Sequence, residues 1–238
     1  YELDQDWQFS QSEPELSASE TEQLVWQTVD LPHTPQIEPM VVNNQWQGIA
    51  WYRKNLEADK QWRDKKVFLR IEAAMNKAQV WLNGDLLGIH KGGYLPFAFD
   101  ISDKLKADQT NVLLLRVDNN DDPLIGPKPL KQLDFNTYGG LYRSVSLSIK
   151  PQLYISDEML ANKTASGGVF VTFPQVSETQ SQVQVKTHIV NEFATAQTFI
   201  LRQHLSLADK DVAQFEQQQV LKTKSEDKHS HQTKGTQT

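Results

Sequence analysis

An all-β fold, one large β-sandwich followed by a smaller one, is what this sequence predicts. Three observations carry that prediction. Apolar residues alternate with polar ones in many short runs, such as Val67, Leu69 and Ile71 set between Phe68, Arg70 and Glu72, and this is the period of a half-buried strand. Gly, Pro and Asn punctuate those runs at roughly even spacing, as sandwich turns do. Nowhere does a sustained three-to-four apolar spacing mark a long amphipathic helix.

Bulk properties bound the function. A chain of 238 residues makes one large all-β domain or two ordinary ones. With 38% hydrophobic and 23% charged residues it has material for a sizeable core. Its net charge of -6 leaves no basic stripe to release counterions from nucleic acid, so neutral or weakly charged partners are expected. No apolar run reaches the length that spans a bilayer, and no membrane partner is expected. The absence of cysteine excludes disulfides and thiolate metal sites without naming a compartment. The sequence begins at Tyr1 rather than Met, which allows a signal peptide removed upstream, and a periplasmic or secreted location is favoured over a cytoplasmic one.

Taken in order, Leu3, Trp7 and Phe9 suggest a short edge strand, followed by a solvated Ser/Glu/Gln loop. The two prolines of Leu31-Pro32-His33-Thr34-Pro35 forbid helix and favour an extended surface segment. Residues 39–49 read as a loop carrying Asn43, Asn44, Gln45 and Trp46. Strands then follow closely: one from Trp51 to Leu56, one around Val67 to Ile71, and one through Ala78, Val80 and Leu82. Asn83-Gly84 tolerates the two positive φ angles of a type I′ turn, so Val80–Leu82 is expected to pair antiparallel with Leu86–Ile89. Leu95 to Ile101 alternates again, Ser102–Lys106 reads as a single helical turn, and the nearly continuous apolar run from Asn111 to Val117 predicts a strand covered on both faces.

A break in pattern near Lys150-Pro151 divides the chain into 1–150 and a second unit at 151–222. The second unit repeats the strand signal at Leu153, Val169–Phe173, Val183–Thr187, Phe199–Leu205 and Val212–Val220. It is poorer in aromatics, like an incomplete immunoglobulin-type sandwich. Residues 223–238 lack large apolar side chains and are expected to be a polar tail or loop.

One stretch stands out for function, from Asp134 through Phe135, Asn136, Thr137, Tyr138, Gly139, Gly140, Leu141 and Tyr142 to Arg143. Before it lies a Pro-rich loop that a sheet interior would not accept, and after it Val145, Leu147 and Ile149 alternate with serines. A carboxylate, an amide and aromatic side chains are therefore held at the end of a sheet, where loops carry binding chemistry on a rigid base. The competing reading is a tight turn whose glycines merely permit positive φ. The residues alone leave both open.

Several motifs recur together in order: Trp51-Tyr52-Arg53-Lys54; Val80-Trp81-Leu82-Asn83-Gly84; Gly88-Ile89-His90-Lys91-Gly92-Gly93-Tyr94-Leu95-Pro96-Phe97; Phe99-Asp100-Ile101; and Tyr138-Gly139-Gly140-Leu141-Tyr142-Arg143. This set resembles glycoside hydrolase family 2, which includes β-galactosidases, β-glucuronidases and β-mannosidases, over most of Trp51 to Ile149. The resemblance implies a jelly-roll sugar-binding domain, then an immunoglobulin-like sandwich, then a (β/α)8 barrel that carries two catalytic glutamates. No segment here matches the family's acid/base or nucleophile motif. The chain is thus expected to be a catalytically silent N-terminal piece of an exo-glycosidase, a β-galactosidase foremost, that hydrolyses terminal β-glycosidic bonds without a cofactor. Its expected partners are a terminal β-linked sugar and a C-terminal barrel, and a homo-oligomer is allowed. The alternative is a free-standing carbohydrate-binding module.

The resemblance also assigns roles. Asp134 matches the position that reaches toward the barrel mouth and hydrogen-bonds sugar hydroxyls, against a competing role in capping its own turn. Asn136 and Asn44 join it as candidate substrate contacts; Asn43 and Gln45 share the loop of Asn44, and Tyr138 is expected to pack. Tyr94 is expected to plug the sandwich end through a backbone hydrogen bond, with His90, Gly92 and Gly93 structural beside it. Arg143 is expected in a buried or interdomain ion pair, and Trp81 in packing rather than sugar stacking. Asp118, Asp121 and Asp122 lack the spacing of a calcium loop, and His229 with His231 lacks a third ligand. No metal site is expected.

Overall fold

The computed structural model describes every residue except 13–15, 41–43, 127–128, 208, 224 and 236–238, and of residues 130 and 225–235 it describes the backbone alone. It is all-β, built of several antiparallel sheets. Two compact units divide it, Tyr1–Ile149 and Lys150–Thr238.

Among the described residues, nine strands build the first unit: β1 (Trp7–Ser12), β2 (Gln27–Val29), β3 (Ile49–Glu57), β4 (Lys66–Ile71), β5 (Lys77–Leu82), β6 (Asp85–Lys91), β7 (Phe97–Asp100), β8 (Thr110–Asp118) and β9 (Val145–Lys150). Six of them form a sheet in the order β2-β1-β3-β8-β5-β6, and β7-β4-β9 form a second. The core fills the space between these sheets. From the larger come Trp7, Tyr52, Val80, Leu113 and Leu115, and from the smaller Val67, Leu69, Ile71, Val145 and Leu147, all nearly inaccessible. Burying each such side chain stabilises the fold by about 1.5–3 kcal/mol relative to leaving it exposed.

The central position of β8 accounts for its unbroken apolar run. Its Leu113, Leu115 and Val117 face the core. Leu114 points the other way, beside Ile49 and Trp51, where Leu16, Ala18, Leu24 and Trp26 cover the outer face. Trp81 packs there too, its ring 5.8 Å from that of Trp51. At the β5–β6 hairpin, Asn83 and Gly84 adopt φ angles of 54° and 88°, and Leu82 pairs with Asp85.

Two expectations for the N-terminal region change. The first strand is internal rather than an edge, since β1 pairs with β2 on one side and β3 on the other. The Ser/Glu/Gln segment after it supplies the cover over the outer face, with a short 3-10 helix at Ala18–Gln23, because the Trp51–Leu114 patch needs burial.

In the second unit, β10 (Leu153–Ile155), β11 (Val169–Val176) and β12 (Ser181–Asn191) form one sheet, while β13 (Gln197–Leu207) and β14 (Lys210–Leu221) form a separate hairpin. Ile189, Leu201 and Leu221 make its small core, and Val169, Val171, Phe173 and Val176 of β11 stay exposed. Residues 225–235 depart from the expected polar tail or loop. Their β15 (Ser225–Gly235) pairs along the whole of β12, from Ser181 opposite Gly235 to Asn191 opposite Ser225. A second row of backbone donors and acceptors on β12 is satisfied this way, which does not require apolar side chains.

Candidate functional site

Gly139 and Gly140 place the Asp134–Arg143 stretch, and each is needed for a packing reason. Gly140 has φ of +92° and sits where a β-carbon would strike the Tyr52 hydroxyl and Pro35. Gly139 lies against Asn119, whose Nδ2 would stand 2.6 Å from a β-carbon there. Two anchors follow from this close approach: Met75 and Gly140 exchange backbone hydrogen bonds of 3.1 and 3.3 Å, and the His33 amide donates to Leu141 O at 2.8 Å. The glycines thus serve both as a turn and as the fixed base of the residues before them.

From that base, residues 134–138 project as an arm against Glu38, Met40 and Gln45 of the facing loop. Asn136 Nδ2 donates to Met40 O at 2.9 Å and to the Tyr138 hydroxyl at 2.9 Å, and that hydroxyl donates to Glu38 O at 2.9 Å. Gln45 Oε1 accepts the Thr137 amide at 2.8 Å. The loop holds its own shape through Glu38 Oε1, which accepts from Trp46 N and from Gln36 Nε2.

Beside the arm opens a cleft of about 380 Å³, lined by residues that include His33, Met75, Tyr94, Phe135, Asn136 and Tyr142. Tyr94 and Phe135 are half exposed in it. His33 Nδ1 lies 3.0 Å from the Tyr52 hydroxyl. Burial holds the imidazole below its usual range and pushes the Tyr52 phenol well up, so both stay neutral near pH 7. Burial also raises the Tyr142 phenol, against the pull of Arg143. An aromatic and hydroxyl-rich wall of this kind suits a sugar, whose apolar ring faces stack and whose hydroxyls need donors and acceptors.

Residues 21–151 match the family described as glycosyl hydrolases family 2, sugar binding domain. The chain belongs to glycoside hydrolase family 2. Among the family's curated proteins, a β-glucuronidase of Formosa agariphila is 31% identical over 209 residues, 82% of this chain and 21% of that protein. A β-galactosidase of Thermoanaerobacter pseudethanolicus is 33% identical over 135 residues, 56% of this chain and 18% of that one. The crystal structure of a Bacteroides uniformis β-glucuronidase superposes with a TM-score of 0.84 at 27% identity, covering 99% of this chain and 28% of the other. The chain therefore spans about a fifth of the length of these two curated relatives.

Within this family 2 domain the expected site residues fall as follows. Asp134 is exposed, next in the chain to Phe135 of the cleft, and its carboxylate has no hydrogen-bond partner among the described residues. Asn136 lines the cleft while its amide is engaged as above. Asn44 is exposed beside Gln45, and Asn43 lies outside the described residues. The two loops therefore meet at one end of the sandwich.

Two expectations are corrected. Tyr94 is half exposed; the hydroxyls that bond backbone at this end are those of Tyr142, which donates to Gly93 O, and Tyr138, which donates to Glu38 O. Arg143 is exposed, its guanidinium 5.7 Å from the Tyr142 ring, so among the described residues the buried form of its expected ion pair is not made. Gln45, which shares the loop of Asn44, is buried. Its signal was weak: one amide among three. The acidic turn is internally bonded, with Asp118 Oδ1 accepting from Asn120 and Asp121 Oδ1 from Gln47. The side chains of His229 and His231 lie outside the described residues.

Proposed function

We propose that this chain is the non-catalytic N-terminal part of a family 2 exo-glycosidase, and that Asp134 hydrogen-bonds hydroxyls of the terminal β-linked sugar. The observation that carries the reading is Asp134 itself, an exposed carboxylate without a protein partner among the described residues, at the start of an arm braced against a second loop and beside an aromatic cleft. An ionised carboxylate accepting from two neighbouring hydroxyls makes charge-assisted bonds, worth about 1.5–3 kcal/mol each. In the same reading Asn136 and Asn44 add amide contacts to the sugar.

In this reading residues 1–150 are a jelly-roll domain and residues from 151 an immunoglobulin-like sandwich. Hydrolysis with retention belongs to two glutamates of a (β/α)8 barrel, set about 5–5.5 Å apart across the scissile bond. Relatives include both β-galactosidases and β-glucuronidases. None of the cleft's described lining residues is Lys or Arg, so this wall offers a glucuronate carboxylate no ion pair, and a β-galactoside is the substrate we favour.

The test is kinetic. In the full-length enzyme, nitrophenyl β-galactoside should be turned over faster than the β-glucuronide, and Asp134→Ala should lower kcat/KM at least tenfold, about 1.4 kcal/mol. Wild-type kinetics in that variant would remove Asp134 from the sugar site. Glycan binding by a native protein lacking any hydrolase activity would favour a free-standing carbohydrate-binding module instead.

A further inference from the structure

We infer that Gln45 is the positioning residue that sets where Asp134 stands; the inference deepens the proposed sugar contact and rests on it. Among the described residues, no backbone-to-backbone hydrogen bond reaches any residue from Leu133 to Gly139. The arm is thus held by side chains. Two of these, Asn136 and Tyr138, belong to the arm and bond outward to Met40 O and Glu38 O. Gln45 works in the other direction: it reaches from the facing loop and grips the arm's own backbone at Thr137, three residues from Asp134.

Its burial makes the grip specific. Gln45 is 6% exposed, and its Nε2 is buried with no hydrogen-bond partner among the described residues. A buried amide that leaves its donor unpaired loses free energy, so the site keeps Gln45 for the contact its oxygen makes. Since only the carbonyl oxygen can accept the Thr137 N–H, that bond also fixes the orientation of the amide. A carboxylate on an arm without a backbone ladder reaches a sugar hydroxyl in one geometry only if something fixes the arm, and displacement of about 1 Å is enough to weaken such a contact severely.

Two variants of the full-length enzyme test this. Gln45→Met keeps the size and removes the acceptor; Gln45→Glu, buried and neutral, keeps a carbonyl oxygen for Thr137. With a nitrophenyl β-glycoside, Gln45→Met should raise KM five- to tenfold with a smaller change in kcat, and Gln45→Glu should recover most of the loss. The double variant Gln45→Met/Asp134→Ala should be no worse than Asp134→Ala alone, because both act through one contact. Hydrogen exchange read peptide by peptide should speed up over 133–139 in Gln45→Met and stay unchanged over β3, β4 and β8.

Losses that multiply in the double variant, or unchanged exchange over 133–139, would overturn the inference. So would acceleration across the whole first unit, the mark of a general structural role. Wild-type kinetics for Asp134→Ala would instead sink the sugar contact, and the exchange experiment would then judge the Gln45 grip by itself.

Discussion

The Tyr52 hydroxyl occupies the space that a β-carbon on Gly140 would need. Tyr52 is fully buried in β3, and its hydroxyl also meets His33. One contact therefore joins the sandwich core, the Leu31–Pro35 segment and the base of the Asp134 arm.

Gly140→Ala should be costly for that reason. A side chain at φ of +92° is strained, and the added carbon must displace Tyr52 or Pro35. Together these predict a loss of about 2–5 kcal/mol. All six tryptophans, Trp7, Trp26, Trp46, Trp51, Trp62 and Trp81, lie in the first unit, so denaturant unfolding followed by tryptophan fluorescence reads this unit directly. An unchanged midpoint would mean the backbone here is free to move.

Asp134→Asn should fall between wild type and Asp134→Ala in kcat/KM. The amide keeps one acceptor oxygen but loses the charge that strengthens bonds to sugar hydroxyls. If Asn and Ala variants were equal, the charge would be the whole contribution; if Asn matched wild type, charge would contribute nothing.

Acid should weaken the first unit through His33 and His90. Burial lowers both imidazole pKa values, and His90 is stacked on Phe97 with ring centroids 4.0 Å apart. The unfolded chain then binds more protons than the folded one below about pH 6.5, the ordinary histidine value. Stability is accordingly full above that pH and falls as pH drops toward the lowered folded values. His33→Gln should show a shallower decline between pH 7 and pH 5 than wild type. Parallel slopes in fluorescence-monitored unfolding would rule His33 out as a contributor.

Asn111→Ala should unfold the β8 end of the sandwich at lower denaturant. Asn111 is inaccessible, its Nδ2 donates to Lys106 O and Gln109 O, and its Oδ1 accepts from Asn83 and Lys106. Truncation leaves those groups unpaired in a buried place, a cost of about 2–4 kcal/mol. A change under 0.5 kcal/mol would show that water replaces the side chain.

Much of this molecule is local and so is legible in its sequence. Alternation sets the strand faces of β4, β5 and β9, the unbroken run of β8 shows its two-sided burial, and Asn83-Gly84 marks its hairpin, because each depends on neighbours within a few residues. The Asp134–Arg143 stretch is likewise marked by its own composition. What the tertiary structure decided are partnerships across long spans of chain: Thr137 with Gln45 over 92 residues and Tyr138 with Glu38 over 100. Nothing near Gln45 distinguishes it from Asn44, nor does anything near Tyr142 give it the hydroxyl contact expected of Tyr94. β15 likewise forms against an edge of β12 that its own polar residues do not foretell. Periodicity records which face of a strand is buried; which amide or hydroxyl meets which backbone group depends on where distant loops come to rest, and only the folded chain fixes that.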